Sequence, residues 1–198
     1  MPADRALDEG DAELRGFGLR RATAADAPCL AVLGTQVFLE TYATSGIRMA
    51  LVREVEAHLS MAAFLARLAE PSRQVTLAER AGHLVAFAEL AIGARHPLVP
   101  GDHPAELCRL YVQSPFLRQG VGRLLLRRSE ALAAAEGAST LWLTAWVGNA
   151  RALAFYSSQG YETLGSTPYA FEGEVVENRL LAKALRDENR PFFPSPEE

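Results

Sequence analysis

The stretch Glu106–Arg128 changes its hydrophobic rhythm in the middle, and that change constrains the chain more than any other feature. From Leu107 to Val112 the residues are apolar, aromatic and β-branched, interrupted only by Arg109, as in a short strand packed on both faces. Leu124, Leu125, Arg128, Leu132 and Ala135 then follow three-to-four spacing, which predicts a helix, with Arg123, Arg127 and Glu130 turned largely elsewhere. Arg118-Gln119-Gly120-Val121-Gly122 joins the two. Glycines at a strand-to-helix turn leave successive backbone N–H groups unpaired and unobstructed. The helix dipole adds roughly half a positive charge there, and Arg118 and Arg123 can add whole ones, so a diphosphate is the natural guest. An isolated G-x-G would more often be a tight turn that packs helix on strand.

Two phosphate loops are excluded. No G-x-x-x-x-G-K-[ST] run exists, and a dinucleotide fingerprint would need a small residue where Leu125 stands. The junction resembles the acyl-CoA loop of the GNAT N-acetyltransferases, [QR]-x-x-G-x-[GA] directly after a strand. Gly120, Gly122, Leu110-Tyr111-Val112 and the leucine-rich helix carry the match, which departs at Leu117 where the family usually has Gln or Arg.

Composition sets the frame. With 198 residues, 49% hydrophobic and 22% charged, the chain suits one core and hence one soluble domain. No apolar run approaches a membrane span, and the charged start MPADRALDEGDAELRG is unlike a signal peptide, so the expected location is the cytoplasm, away from membranes. A net charge of -4 argues against nucleic acid as partner and suits a cationic or small amine substrate. Cys29 and Cys108 form no metal-binding or redox pattern and read as buried small hydrophobes. His96 and His103 share a proline-rich loop with no third ligand at a suggestive spacing, so no metal is expected.

Taken in order, residues 1–16 read as a flexible arm and GFGLRRAT as a first strand. Thr23 is placed to cap a helix from Ala24 to Tyr42, broken by Thr44-Ser45-Gly46. A second helical stretch runs from Ala50 to Ala69, with a turn at Ser60. RQVTLAER and HLVAFAELAI form a hairpin about Ala81-Gly82. After the central strand and helix come a strand STLWLTAWV, a short helix opened by Gly148-Asn149, two antiparallel strands, and a proline-rich tail over 187–198. That leaves 17–186 as the domain. The tail holds Phe192 and Phe193, which could dock on a neighbouring subunit in a homodimer. The order β-α-α-β-β-β-α-β-α-β-β is that of the GNAT family over roughly residues 18–185. The fold class is thus α/β (α+β), a single mixed sheet with helices on both faces, and the resemblance supplies its strand order.

The resemblance also implies the chemistry. Acetyl-CoA would be the co-substrate, its pantetheine lying in a gap beside Leu110, Tyr111 and Val112. Its diphosphate would sit on Arg118, Gln119, Gly120, Val121, Gly122 and Arg123. Asn149, read from sequence as a helix N-cap, would add a cofactor contact. Tyr156, in an N…Y-x-x-x-G-[FY] pattern completed by Gly160 and Tyr161, would point its hydroxyl at the coenzyme sulfur. A phenol near pKa 10 donates to a thiolate near 8.5 uphill by roughly 2 kcal/mol in water, so a hydrogen bond is the cheaper form of assistance.

A primary amine near pKa 10.4 is neutral in only about one part in a few thousand at pH 7, so a base is useful. Glu106, fourteen residues before Gly120, matches the offset of the catalytic glutamate in histone-type members, and strand alternation puts it on one face with Cys108, Leu110 and Val112. Glu89 is the second candidate, more simply read as a strand-end carboxylate in solvent or in an ion pair. Phe38-Leu39-Glu40-Thr41-Tyr42 loosely resembles the PaiA-type polyamine acetyltransferases, which makes Glu40 and Glu172 candidates for holding a cationic acceptor. The expected activity is acetyl transfer to a primary amine, on a small molecule or polyamine. A protein N-terminal or lysine acetyltransferase and a non-catalytic acyl-CoA sensor are the alternatives. Thr144, where N-terminal members carry glutamate, counts against the first.

Overall fold

A computed structural model describes residues 16–171 and 174–185. The arm read over 1–16 (Gly16 apart), the tail over 187–198 with its two phenylalanines, and Glu172 lie outside them.

Seven strands form one sheet in the order β1-β2-β3-β4-β5-β7-β6. They are β1 (Gly18–Arg21), β2 (Arg73–Arg80), β3 (His83–Ile92), β4 (Pro104–Val112), β5 (Thr140–Trp146), β6 (Glu162–Phe171) and β7 (Glu174–Ala184). Among the described residues only β4 and β5 pair in parallel. The hairpin turn falls at Ala81 and Gly82, whose φ angles of 50° and 76° give the twist that two-residue hairpin turns favour. β4 begins at Pro104, earlier than Leu107, and proline is tolerated at a strand's first residue.

The first helix starts later than its cap suggests. Ala24–Asp26 is a 3₁₀ turn, with the Asp26 carboxylate accepting from the Thr23 amide at 2.8 Å, and helix α1 then runs Ala27–Tyr42. Cys29 is exposed, contrary to expectation, because Leu30, Leu33 and Val37 take the buried stripe of α1. The second helical stretch is α2 (Met49–Glu54), a π-helical turn over Val55–Leu59, and α3 (Met61–Ala69). Ser60 marks the predicted break, its hydroxyl accepting from the Ala63 amide at 3.2 Å. Helices α4 (Val121–Ala135) and α5 (Ala150–Ser158) follow β4 and β5.

The sheet carries a core on each face. Ala105, Leu107, Leu110 and Val112 pack with Leu124, Leu125, Leu141 and Leu143 on the α4/α5 face. Phe87 and Tyr111 pack with Leu30, Leu33 and Phe64 on the α1/α3 face. The assignment of β4 side chains depends on a β-bulge: Glu89 pairs with Arg109 but Leu90 with Leu107, so Cys108 is the extra residue. Cys108 and Arg109 consequently both approach groups on the α1/α3 face. The expectation that Glu106 shares a face with Leu110 and Val112 is therefore wrong. It lies with Cys108, Arg109 and Tyr111 on the opposite side.

Candidate active site

β4 and β5 pair at only three positions, Pro104 with Thr140, Ala105 with Leu141 and Glu106 with Trp142, although both strands continue beyond them. Past Glu106 a gap opens in the middle of the sheet. At the far end of β4 the Gln113 amide donates to the Val85 carbonyl at 3.0 Å, so alternation turns the Leu110 and Val112 amides the other way, into the gap.

The open end of the gap leads to α4. Its N-cap is Gly120, at φ 90°, with no side chain to cap the helix, and the Gly120 carbonyl takes its bond from Leu124. Helix geometry leaves the amides of Val121, Gly122 and Arg123 without intrahelical acceptors. Arg118 is also left-handed, at φ 61°, which curls the loop toward the helix end. A Cβ on Gly122 would meet Phe155 and Val112, each at 3.8 Å, so this residue stands where α4, α5 and β4 converge. Val121 is buried in the core, which anchors the turn, while Arg118 and Arg123 are exposed. The Gln119 side chain is engaged within the protein: it donates to the Pro115 carbonyl at 2.7 Å and accepts from Arg80 at 2.7 Å. Its contribution is to brace the loop.

On the far side of the gap, Asn149 is the N-cap of α5, accepting from the Ala152 amide at 3.1 Å, which leaves its side-chain N–H groups to donate elsewhere. Tyr156 is buried against Phe155 and Tyr161, with ring centroids at 5.2 and 5.8 Å. Burial, with the Tyr111 and Tyr42 phenols nearby, holds its hydroxyl well above the usual tyrosine range.

Glu106 is half-buried, and burial pushes its carboxyl above the usual range against the opposing pull of Arg73, the Cys108 contact and Arg109. Cys108 beside it is pushed up to about 12 by burial and the nearby carboxylates, so it is an unreactive thiol. Glu89 has no exposure at all and meets Arg67 at 3.1 Å, Arg73 at 2.9 Å and Arg109 at 2.8 Å. This carboxylate is clamped by three guanidiniums and is structural. Tyr156 packs in the core of the α4/α5 face, whereas Glu106 lies among Arg73, Cys108 and Arg109 on the other face.

The Phe38–Tyr42 run singled out in the sequence lies on the α1 side, joined by Trp146, Gln36, Gln113 and Ser114, which sequence reasoning gave no such role. The Tyr42 ring packs on Trp146 at 5.6 Å and on Phe38 at 4.8 Å, spanning from α1 to the end of β5. Gln113 donates to Gln36 at 2.8 Å and Ser114 to Glu40 at 2.5 Å, fastening α1 to the end of β4. Glu40 is thus engaged as a fastener. Only the density of aromatic residues near 42 and 146 could have signalled this cluster.

A mixed seven-stranded sheet parted at its centre, with a glycine-opened helix at the mouth of the gap, defines a protein of the acyltransferase class. The chain belongs to the acetyltransferase (GNAT) family, whose model matches residues 40–161, and it is an N-acetyltransferase of that family. It is 31% identical to an uncharacterized N-acetyltransferase of Mycobacterium bovis over 66% of this chain and 80% of that protein. Its fold is similar to that of PaiA N-acetyltransferase from Thermoplasma acidophilum, solved with coenzyme A (TM-score 0.66, 18% identity, 85% of this chain and 98% of that one). It is likewise similar to yncA of Salmonella typhimurium, a putative acetyltransferase solved with acetyl-CoA (TM-score 0.59, 18% identity, 89% and 98%).

Proposed function

We propose that the protein transfers an acetyl group from acetyl-CoA to a primary amine on a small molecule or polyamine in the cytoplasm. The observation that carries this reading is the alignment of two sets of outward amides. Those of Leu110 and Val112 face the gap, and those of the first turn of α4 stand at its mouth. One set suits a pantetheine amide chain and a thioester carbonyl, the other a diphosphate, with Arg118 and Arg123 beside it. Asn149 would add a donor from the opposite wall.

The acceptor amine approaches from the α1/α3 face, where Glu106 and Tyr111 lie. Glu106, directly or through a water, takes the proton as nitrogen attacks the thioester carbon. An amide of β4 stabilises the oxyanion, and Tyr156 hydrogen-bonds the departing sulfur. Burial raises the phenol, which favours a hydrogen bond to the departing sulfur over full proton transfer.

The test is release of thiol from acetyl-CoA against a panel of amines. Tight binding with no release for any amine would replace the enzyme with an acyl-CoA sensor. Tyr156→Phe is expected to lower kcat by roughly tenfold to a hundredfold, equivalent to about 1.4–2.7 kcal/mol, with CoA affinity kept, and full turnover in that variant would remove the assignment. The pH dependence has a definite sign. Because the folded Glu106 carboxyl lies above its ordinary value near 4.3, kcat/KM should rise with pH through a midpoint above that value, and Glu106→Gln should abolish that limb.

A further inference from the structure

Around the outer rim of the gap, on the α1/α3 face, aromatic rings converge on a carboxylate. Trp146 is the last residue of β5, and its indole lies so close over the next turn that a Cβ on Gly148 would come within 2.4 Å of it. The ring is thus seated between Gly148 and Tyr42. Glu54 closes α2 where the backbone passes into the π-helical turn. It accepts from the Tyr169 hydroxyl at 3.0 Å and lies 3.7 Å from His58. Tyr42 and Tyr169 are each about two-fifths exposed (39% and 40%), so this cluster is open to a ligand. The Glu54 charge is felt at the phenols of both Tyr42 and Tyr169, which ties the carboxylate to the rings.

Glu106 is the proposed base for the reacting nitrogen, so a second carboxylate that takes no proton in the reaction suits a positive charge that persists through it. Aromatic faces favour such a charge further when it leaves bulk water. We infer that Glu54, Tyr42, Trp146 and Tyr169 form the subsite for a second positive charge on the acceptor, making the preferred substrate a diamine or longer polyamine. This rests on the acetyl-transfer reading and assigns specificity residues to it.

The experiment is a matched series under initial-rate conditions: an n-alkylamine, the α,ω-diamine of equal length and the corresponding ω-amino acid. In the wild-type protein kcat/KM for the diamine should exceed that for the monoamine by at least tenfold, with the ω-amino acid poorest. In Glu54→Gln that ratio should fall to within about twofold, chiefly through the diamine KM, and Trp146→Ala should reduce it in the same direction. Equal wild-type use of monoamine and diamine, or a ratio unchanged in a folded Glu54→Gln, overturns the inference while leaving acetyl transfer intact. Absence of thiol release with every amine overturns the transferase reading itself. The wild-type series decides the matter even if a variant does not fold.

Discussion

Replacing Glu89 by glutamine is expected to destabilise the fold by about 3–5 kcal/mol, the cost of leaving buried charge without its counterion. Glutamine keeps the volume of the side chain, so the loss would be electrostatic and not a cavity. The three guanidiniums come from α3 (Arg67), β2 (Arg73) and β4 (Arg109), so one carboxylate ties a helix to the sheet and steadies the bulged stretch that carries Glu106. Arg67 also donates to the His58 carbonyl at 2.8 Å, and Arg73 shares Glu70 at 2.9 Å, so the arginines have partial alternatives. Those partners do not replace a buried anion at the centre. Thermal denaturation should show a loss of roughly 6–20 °C in Tm, and a loss below about 1 kcal/mol in denaturant titration would show that the arginines rearrange to water. Activity in Glu89→Gln, measured well below its new Tm, should also fall, because Arg109 and Arg73 flank the proposed base.

What the sequence disclosed and what it withheld follow from range. The strand, loop and helix from Leu107 to Ala135 were legible because period and glycine placement are local properties, and the Ser60, Asn149 and Ala81-Gly82 boundaries followed from the same short-range chemistry. The bulge at Cys108 has no local signature. It is set by β3 and by the clamp on Glu89, and missing it placed Glu106 on the wrong face. Cys29 was misplaced because an amphipathic helix rich in alanine and leucine leaves the exact edge of its buried stripe undefined. Glu54 and Tyr169 stand 115 positions apart, and no spacing rule connects them. The backbone part of the site could be read from sequence, whereas its side-chain pairings depend on tertiary packing.

That backbone part makes the sharpest test of function. Gly120→Asp is expected to weaken CoA binding by about a hundredfold while costing the fold little. Aspartate is among the better residues at a helix N-cap and among the few that tolerate the left-handed conformation seen at φ 90°, so the penalty on folding should be about 1 kcal/mol. Its carboxylate would accept from the same first-turn amides that a diphosphate needs and would add a negative charge at the dipole's positive end. Losing two charge-assisted hydrogen bonds at about 1.5 kcal/mol each amounts to roughly 3 kcal/mol, or two orders of magnitude in Kd. Gly120→Ala separates the two effects, since it strains the turn at least as much but brings no charge. Calorimetry with CoA should therefore rank affinity as wild type, then Gly120→Ala, then Gly120→Asp. Should Gly120→Asp bind CoA as tightly as the wild type, the diphosphate does not rest on this turn, and the amides of Leu110 and Val112 would lose their proposed partner as well.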